Sequence, residues 1–86
     1  MALHVLQSIQ KYRDCQSVLA ADDALLLLDS ALYLSDAQLE AIPCRTMALR
    51  EELAMAAVNE SSLLEGIDYT QWLELVEQHP QQVCWY

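Results

Sequence analysis

The chain has 86 residues, 55% of them apolar, and a formal net charge of −9, a length that fits one domain over residues 1–86. Its four basic residues, Lys11, Arg13, Arg45 and Arg50, are too few to track a phosphate backbone, and the acidic field repels nucleic acid and anionic membrane surfaces. No apolar run approaches the roughly 20 residues that span a bilayer.

A chain this short buries only roughly 60 to 65 per cent of its unfolded surface. Its apolar share exceeds the usual figure of about 45 to 50 per cent. The surplus points to a subunit interface; the alternative is a small Leu- and Ala-rich monomer with a generous core. The charge suits a basic or mixed protein partner, or serves solubility alone.

In chain order, Ala2 to Gln7 reads as a first strand. Ser8 to about Ala20 has helical character, with Ile9, Tyr12 and Leu19 on one face and Cys15 on its flank. Asp22-Asp23 breaks the pattern as a solvated turn. Ala24 to Leu28, all apolar and bounded by acids, fits a strand buried on both faces. Residues 30–41 are helical in composition, in one or two pieces with Asp36 as a second cap, and Pro43 closes them. Arg45 to Leu49 is the third strand, and Glu51 and Glu52 suit the first turn of a helix running through Ala57. Asn59 to Ser62 is a loop, and Leu63 to Tyr69 is a fourth strand interrupted by Gly66.

The last segment is the most informative. Trp72, Leu75, Val76 and His79 mark one helical face. Thr70 is placed to cap that helix and Pro80 to stop it. Val83 to Tyr86 has strand propensity. Free apolar ends fray unless tied down, so this end is expected in a sheet or against a partner, with Trp85 and Tyr86 as candidate interface anchors. The alternation βαβαβαβαβ implies an α/β fold: a small, mostly parallel five-stranded sheet with helices on both faces.

Little points to chemistry. No Gly-rich loop follows the first strand, so no dinucleotide or nucleoside triphosphate cofactor is expected. Cys15, Cys44 and Cys84 lie far apart without a CxxC, and with His4 and His79 they give no metal-ligand spacing. An odd cysteine count without a secretory signal fits a reducing cytoplasm. His4 reads as a hydrogen-bonded strand residue and His79 as packing at a helix end. Cys15 is the one side chain with a candidate catalytic role, as a thiol carrying persulfide sulfur. Lys11 one turn earlier favours its thiolate, Asp14 next door opposes it, and a buried apolar thiol is the other reading.

The pieces together resemble the TusB/DsrH family of small DsrE-like sulfur-relay subunits. The resemblance rests on Met1-Ala2-Leu3-His4-Val5-Leu6, on Asp23 to Asp29 with its four leucines, and on Thr46 to Ala54. It rests most on Ile67-Asp68-Tyr69-Thr70 followed by His79-Pro80 and Trp85. The chain departs from that family in carrying Asp29-Ser30 where Asp-Gly is common and Ala56-Ala57 where Arg-Gly is frequent. The resemblance implies a DsrE-like fold and a hetero-oligomer with sister subunits of TusC and TusD type. It implies passage of persulfide sulfur toward 2-thiolation of the tRNA wobble uridine, with the principal cysteine on a sister subunit. Such a subunit is not expected to be an enzyme by itself; the charge of −9 with four basic residues predicts no direct tRNA binding, and the apolar excess with the Val83–Tyr86 end predicts homo-oligomers or aggregation when the chain is isolated. In the DsrH branch, similar subunits serve sulfur oxidation, and Cys15 falls where such members carry a first-helix cysteine. An acidic interaction module without sulfur chemistry is the reading from another class.

Overall fold

The computed structural model describes residues Met1–Tyr86. Five strands, β1 (Ala2–Leu6), β2 (Ala24–Leu27), β3 (Arg45–Leu49), β4 (Glu65–Ile67) and β5 (Gln81–Trp85), form one sheet in the order β4-β3-β2-β1-β5. Every pairing is parallel. Four α-helices connect them: α1 (Tyr12–Gln16), α2 (Asp36–Glu40), α3 (Arg50–Ala56) and α4 (Tyr69–Gln78). Short 3-10 turns at Ile9–Lys11 and Asp29–Tyr33 complete the crossovers.

The strand order decides where the helices go. The first three crossovers step in one direction across the sheet and, being right-handed, lie on one face. The fourth, through α4, returns past all of them to β5 and lies on the other. Alternation along each strand then splits the core. Leu6, Leu25, Leu27 and Ala48 point to the first face, with Leu39 and Leu53 from the covering helices. Leu3, Leu26, Met47 and Ile67 point to the second, where Trp72, Leu75 and Val76 of α4 meet them. The expected α/β sheet with helices on both faces is therefore present, and β2 is buried on both sides.

Several boundaries differ from the sequence reading for local reasons. The first helix stops at Gln16 rather than near Ala20. The Ser17 hydroxyl donates to the Asp14 carbonyl at 2.8 Å, and the chain tightens into i→i−3 bonds from Val18 to Cys15 and Leu19 to Gln16. Residues 30–41 do form two pieces, but Ser35 rather than Asp36 caps the second, in a capping box with Gln38. The fourth strand shortens to Glu65–Ile67 because Asp68 and Gln71 form a second capping box, which starts α4 at Tyr69 and puts Thr70 inside its first turn. The last strand begins directly after Pro80 and ends at Trp85.

Asp29 and Ala57 both take positive φ, 51° and 57°. Ala57 stands where the Gly of the frequent Arg-Gly would be, and Asp29 just before the place of the other common Gly. The left-handed conformation is thus reached here without Gly.

Candidate functional site

The carboxylate of Asp23 organises the amino ends of β1 and β2. Although the sequence places it in an acidic turn, its side chain is only 7% exposed. It accepts from the Ala2 N–H at 2.8 Å and the Ala20 N–H at 2.9 Å, and it meets His4 Nε2 at 3.2 Å. The solvated-turn expectation holds for Asp22 and fails for Asp23, because the parallel register packs the residue before β2 against the first residues of β1. Burial pushes the Asp23 carboxyl up, but the bonds from Ala20, Ala2 and His4 outweigh it and hold the group below the usual carboxylate range.

His4 relays this anchor to β5. Trp85 Nε1 donates to His4 Nδ1 at 3.2 Å, and the two rings stack with centroids 6.3 Å apart. The indole nitrogen is only a donor, so His4 Nδ1 accepts and Nε2 carries the proton given to Asp23. The Asp23–His4–Trp85 chain therefore ties three parts of the molecule together. This matches His4 as a hydrogen-bonded strand residue. His79 is likewise buried, with Nδ1 2.8 Å from the Leu75 carbonyl at the end of α4.

The three thiols occupy different environments. Cys15, on α1, is 1% exposed and sits in the first-face core with Leu6, Leu25 and Leu27. Burial, and then the neighbouring Cys44, raise its pKa to about 11. Cys44, just before β3, is half-buried against the same core and is also raised to about 11, by burial and then by the charge of Asp23. Cys84 lies exposed on β5. Nothing in the sequence spacing joined Cys15 to Cys44; the packing of α1 beside the entry to β3 brings them together. Tyr12 Oη donates to the Gln38 carbonyl at 2.8 Å and Gln16 Nε2 to the Ala41 carbonyl at 3.3 Å, which fixes that contact.

A cavity of about 190 Å³ opens beside Cys44 at the amino ends of β3 and β4, lined by Leu39, Ile42, Arg45, Thr46 and Glu65 among others. Its one cation is spent: Arg45 donates to both carboxylate oxygens of Glu65, at 2.9 and 2.8 Å. At the carboxyl ends, where open parallel sheets take their ligands, a shallow groove lies between the second 3-10 turn and α3. Exposed Tyr33 and Met55 line it with Asp29 and Glu52. No group of three or more His, Cys, Asp or Glu side chains is arranged to hold a metal ion. No helix is long and apolar enough to cross a membrane. Of the two candidate anchors, Trp85 is held against its own chain by His4, while Tyr86 is 72% exposed.

Fold and site together define a small, all-parallel α/β protein with one buried and one half-buried thiol on one face of its sheet. Residues 7–82 match the family model described as DsrH like protein, and the chain belongs to that family. It is accordingly a sulfur-relay subunit of DsrH type. A search of curated proteins finds no match.

Proposed function

We propose that the chain is a TusB-like subunit of a cytoplasmic TusBCD-type complex. It joins sister subunits of TusC and TusD type, and the assembly passes persulfide sulfur toward 2-thiolation of the tRNA wobble uridine. The chain is an accessory subunit: the persulfide is carried on a sister subunit, and Cys15 is a packing residue.

The observation that carries the accessory role is the state of Cys15. In sulfur transfer the acceptor thiolate attacks the outer sulfur of the donor persulfide, the S–S bond breaks, and the donor leaves as a thiolate. Such a thiol must be accessible and ionised. Cys15 is 1% exposed with a pKa of about 11, which leaves roughly one thiolate in ten thousand at neutral pH. The charge supports the same division of labour toward tRNA. Arg45 is paired with Glu65, and Arg50 lies 3.9 Å from Glu60, so Lys11 and Arg13 are the cations left for phosphate contacts.

Two strains test the proposal. Deleting the chain from its native cell should abolish wobble-uridine 2-thiolation, read by mass spectrometry of tRNA hydrolysates. Replacing it by Cys15→Ser should leave thiolation normal, with the complex intact on co-purification. Normal thiolation in the deletion strain would overturn the tRNA reading in favour of a sulfur-oxidation role. Lost thiolation with an intact Cys15→Ser complex would move Cys15 into the relay.

A further inference from the structure

The two edges of the sheet are finished in opposite ways. β4 is three residues long. Its middle residue, Gly66, turns its N–H away from β3, and the Glu60 carboxylate accepts that N–H at 2.8 Å. Arg45 and Glu65 close the same edge with their paired charges. A further strand would find the outward donor taken and charge in the way.

At β5 nothing of the kind is present. The Trp85 carbonyl accepts from the Gln7 N–H at 2.9 Å. Trp85 therefore turns its peptide groups toward β1, and alternation along a parallel strand turns those of Val83 and Gln81 the same way. The N–H and C=O of Gln82 and Cys84 point out from the sheet, and no group of the chain bonds them. Gln81 to Cys84 are exposed, and the strand carries no charge, no proline and no bulge. Those are the devices that normally keep an edge from pairing.

We propose that β5 is a docking edge. It takes a strand from a basic partner subunit, which extends the sheet through main-chain hydrogen bonds to Gln82 and Cys84. The proposal rests on the reading of the chain as a subunit of a hetero-oligomer. Charge selects the occupant. The chain carries −9, so a second copy would set like charge against like, whereas a basic strand would be drawn in. The side chains that stand out from β5 then meet the partner's: Val83 on the face shared with His4, Gln82 and Cys84 on the face shared with Leu3 and Val5.

Proline tests the edge without disturbing the fold, because it removes one N–H and is tolerated on edge strands where that N–H faces solvent. Gln82→Pro and Cys84→Pro each delete an outward donor and leave the ladder to β1 untouched. Cys84→Ser keeps the donor and removes only the thiol. Each variant is co-produced with the two sister subunits, and assembly is measured by titration and size-exclusion chromatography. Each proline should weaken assembly by at least about tenfold, as expected when a partner carbonyl is left buried and unpaired. The melting temperature of the isolated chain should stay the same, and Cys84→Ser should assemble as the unmodified chain does. Assembly should also weaken as salt rises.

If the unmodified chain joins its sister subunits and the proline variants join equally well, the docking edge is overturned and the subunit reading stands. If the unmodified chain does not join them, the subunit reading falls, and the proposed occupant falls with it. A proline-sensitive homodimer would make the second copy the occupant and overturn the basic partner. Should a proline variant unfold, hydrogen exchange on the unmodified complex decides. The Gln82 and Cys84 amides should become protected on assembly, and unchanged exchange would overturn the proposal.

Discussion

The two faces of the sheet are built from similar residues but covered in different ways. On the first face, three crossovers supply α1, the second 3-10 turn with α2, and α3, none longer than seven residues. They interlock over a core that includes Cys15 and, at its margin, Cys44. On the second face a single ten-residue helix, α4, does the covering, with Leu75 as its one fully buried side chain. Helices this short are marginal alone and draw their stability from packing. The first face is held by several pieces that brace one another and so have little freedom to shift into a defect. The second depends on how well one helix is seated and capped, and α4 has a complete capping box where α1 and α3 have no side-chain cap at all.

Adjacent leucines on β2 give the largest test. Leu26 and Leu27 are both fully buried and point to opposite faces. Truncation of either to Ala should cost about 2–5 kcal/mol, read by urea unfolding. Leu27→Ala should cost more, because interlocked pieces close a cavity less readily than one helix that can shift. Equal costs, or the reverse order, would break the comparison.

Asp23 comes next. Asp23→Ala orphans the Ala2 and Ala20 donors and the His4 Nε2 proton, a loss of about 3 kcal/mol given roughly 1–3 for each buried unsatisfied group. The same site sets a pH dependence. The folded carboxyl is depressed below its unfolded value of about 3.9. Its contribution is therefore fully present above that value and disappears as pH falls through the folded one. The stability gap between the unmodified chain and Asp23→Asn should stay flat from neutral pH down to about 5 and narrow below about 4. A gap that does not change in acid would remove Asp23 from this role.

Capping sharpens the contrast at smaller scale. Asp68→Ala should cost about 1 kcal/mol and speed hydrogen exchange in α4 alone, since no other helix braces it on the second face. Exchange that rises equally on both faces would deny α4 its separate status. The smallest effect runs the other way. Ala57 ends α3 with φ of 57°, and Ala57→Gly should raise stability by about 1 kcal/mol by relieving the left-handed conformation. A lower melting temperature would show that the Ala57 methyl packs usefully.

Much of the architecture is legible in local pattern. The four leucines between Asp23 and Asp29 fit a strand covered on both sides, and the Trp72-Leu75-Val76-His79 spacing fits one face of a helix, as the structure has them. The sequence read Asp23 wrongly because its neighbour Asp22 is exposed and the two look alike in one dimension. A histidine two residues into a buried strand needs a partner, and that was the signal pointing to Asp23. Cys44 carried no signal, since its closeness to Cys15 exists only once α1 packs beside the start of β3.

Period, caps and breakers alone determined the alternation of strands and helices and the parallel α/β class, because each depends on residues a few positions apart. The tertiary structure alone decided the strand order, the burial of Asp23 and Cys15, and the Asp23–His4–Trp85 chain. It also decided which peptide groups of β5 face outward. Each of these follows from pairing between segments distant in sequence: β1 is flanked by β2 and by β5, and Trp85 reaches His4 across 81 positions. No local periodicity encodes which strands become neighbours, and the register of those pairings sets the chemistry each side chain meets.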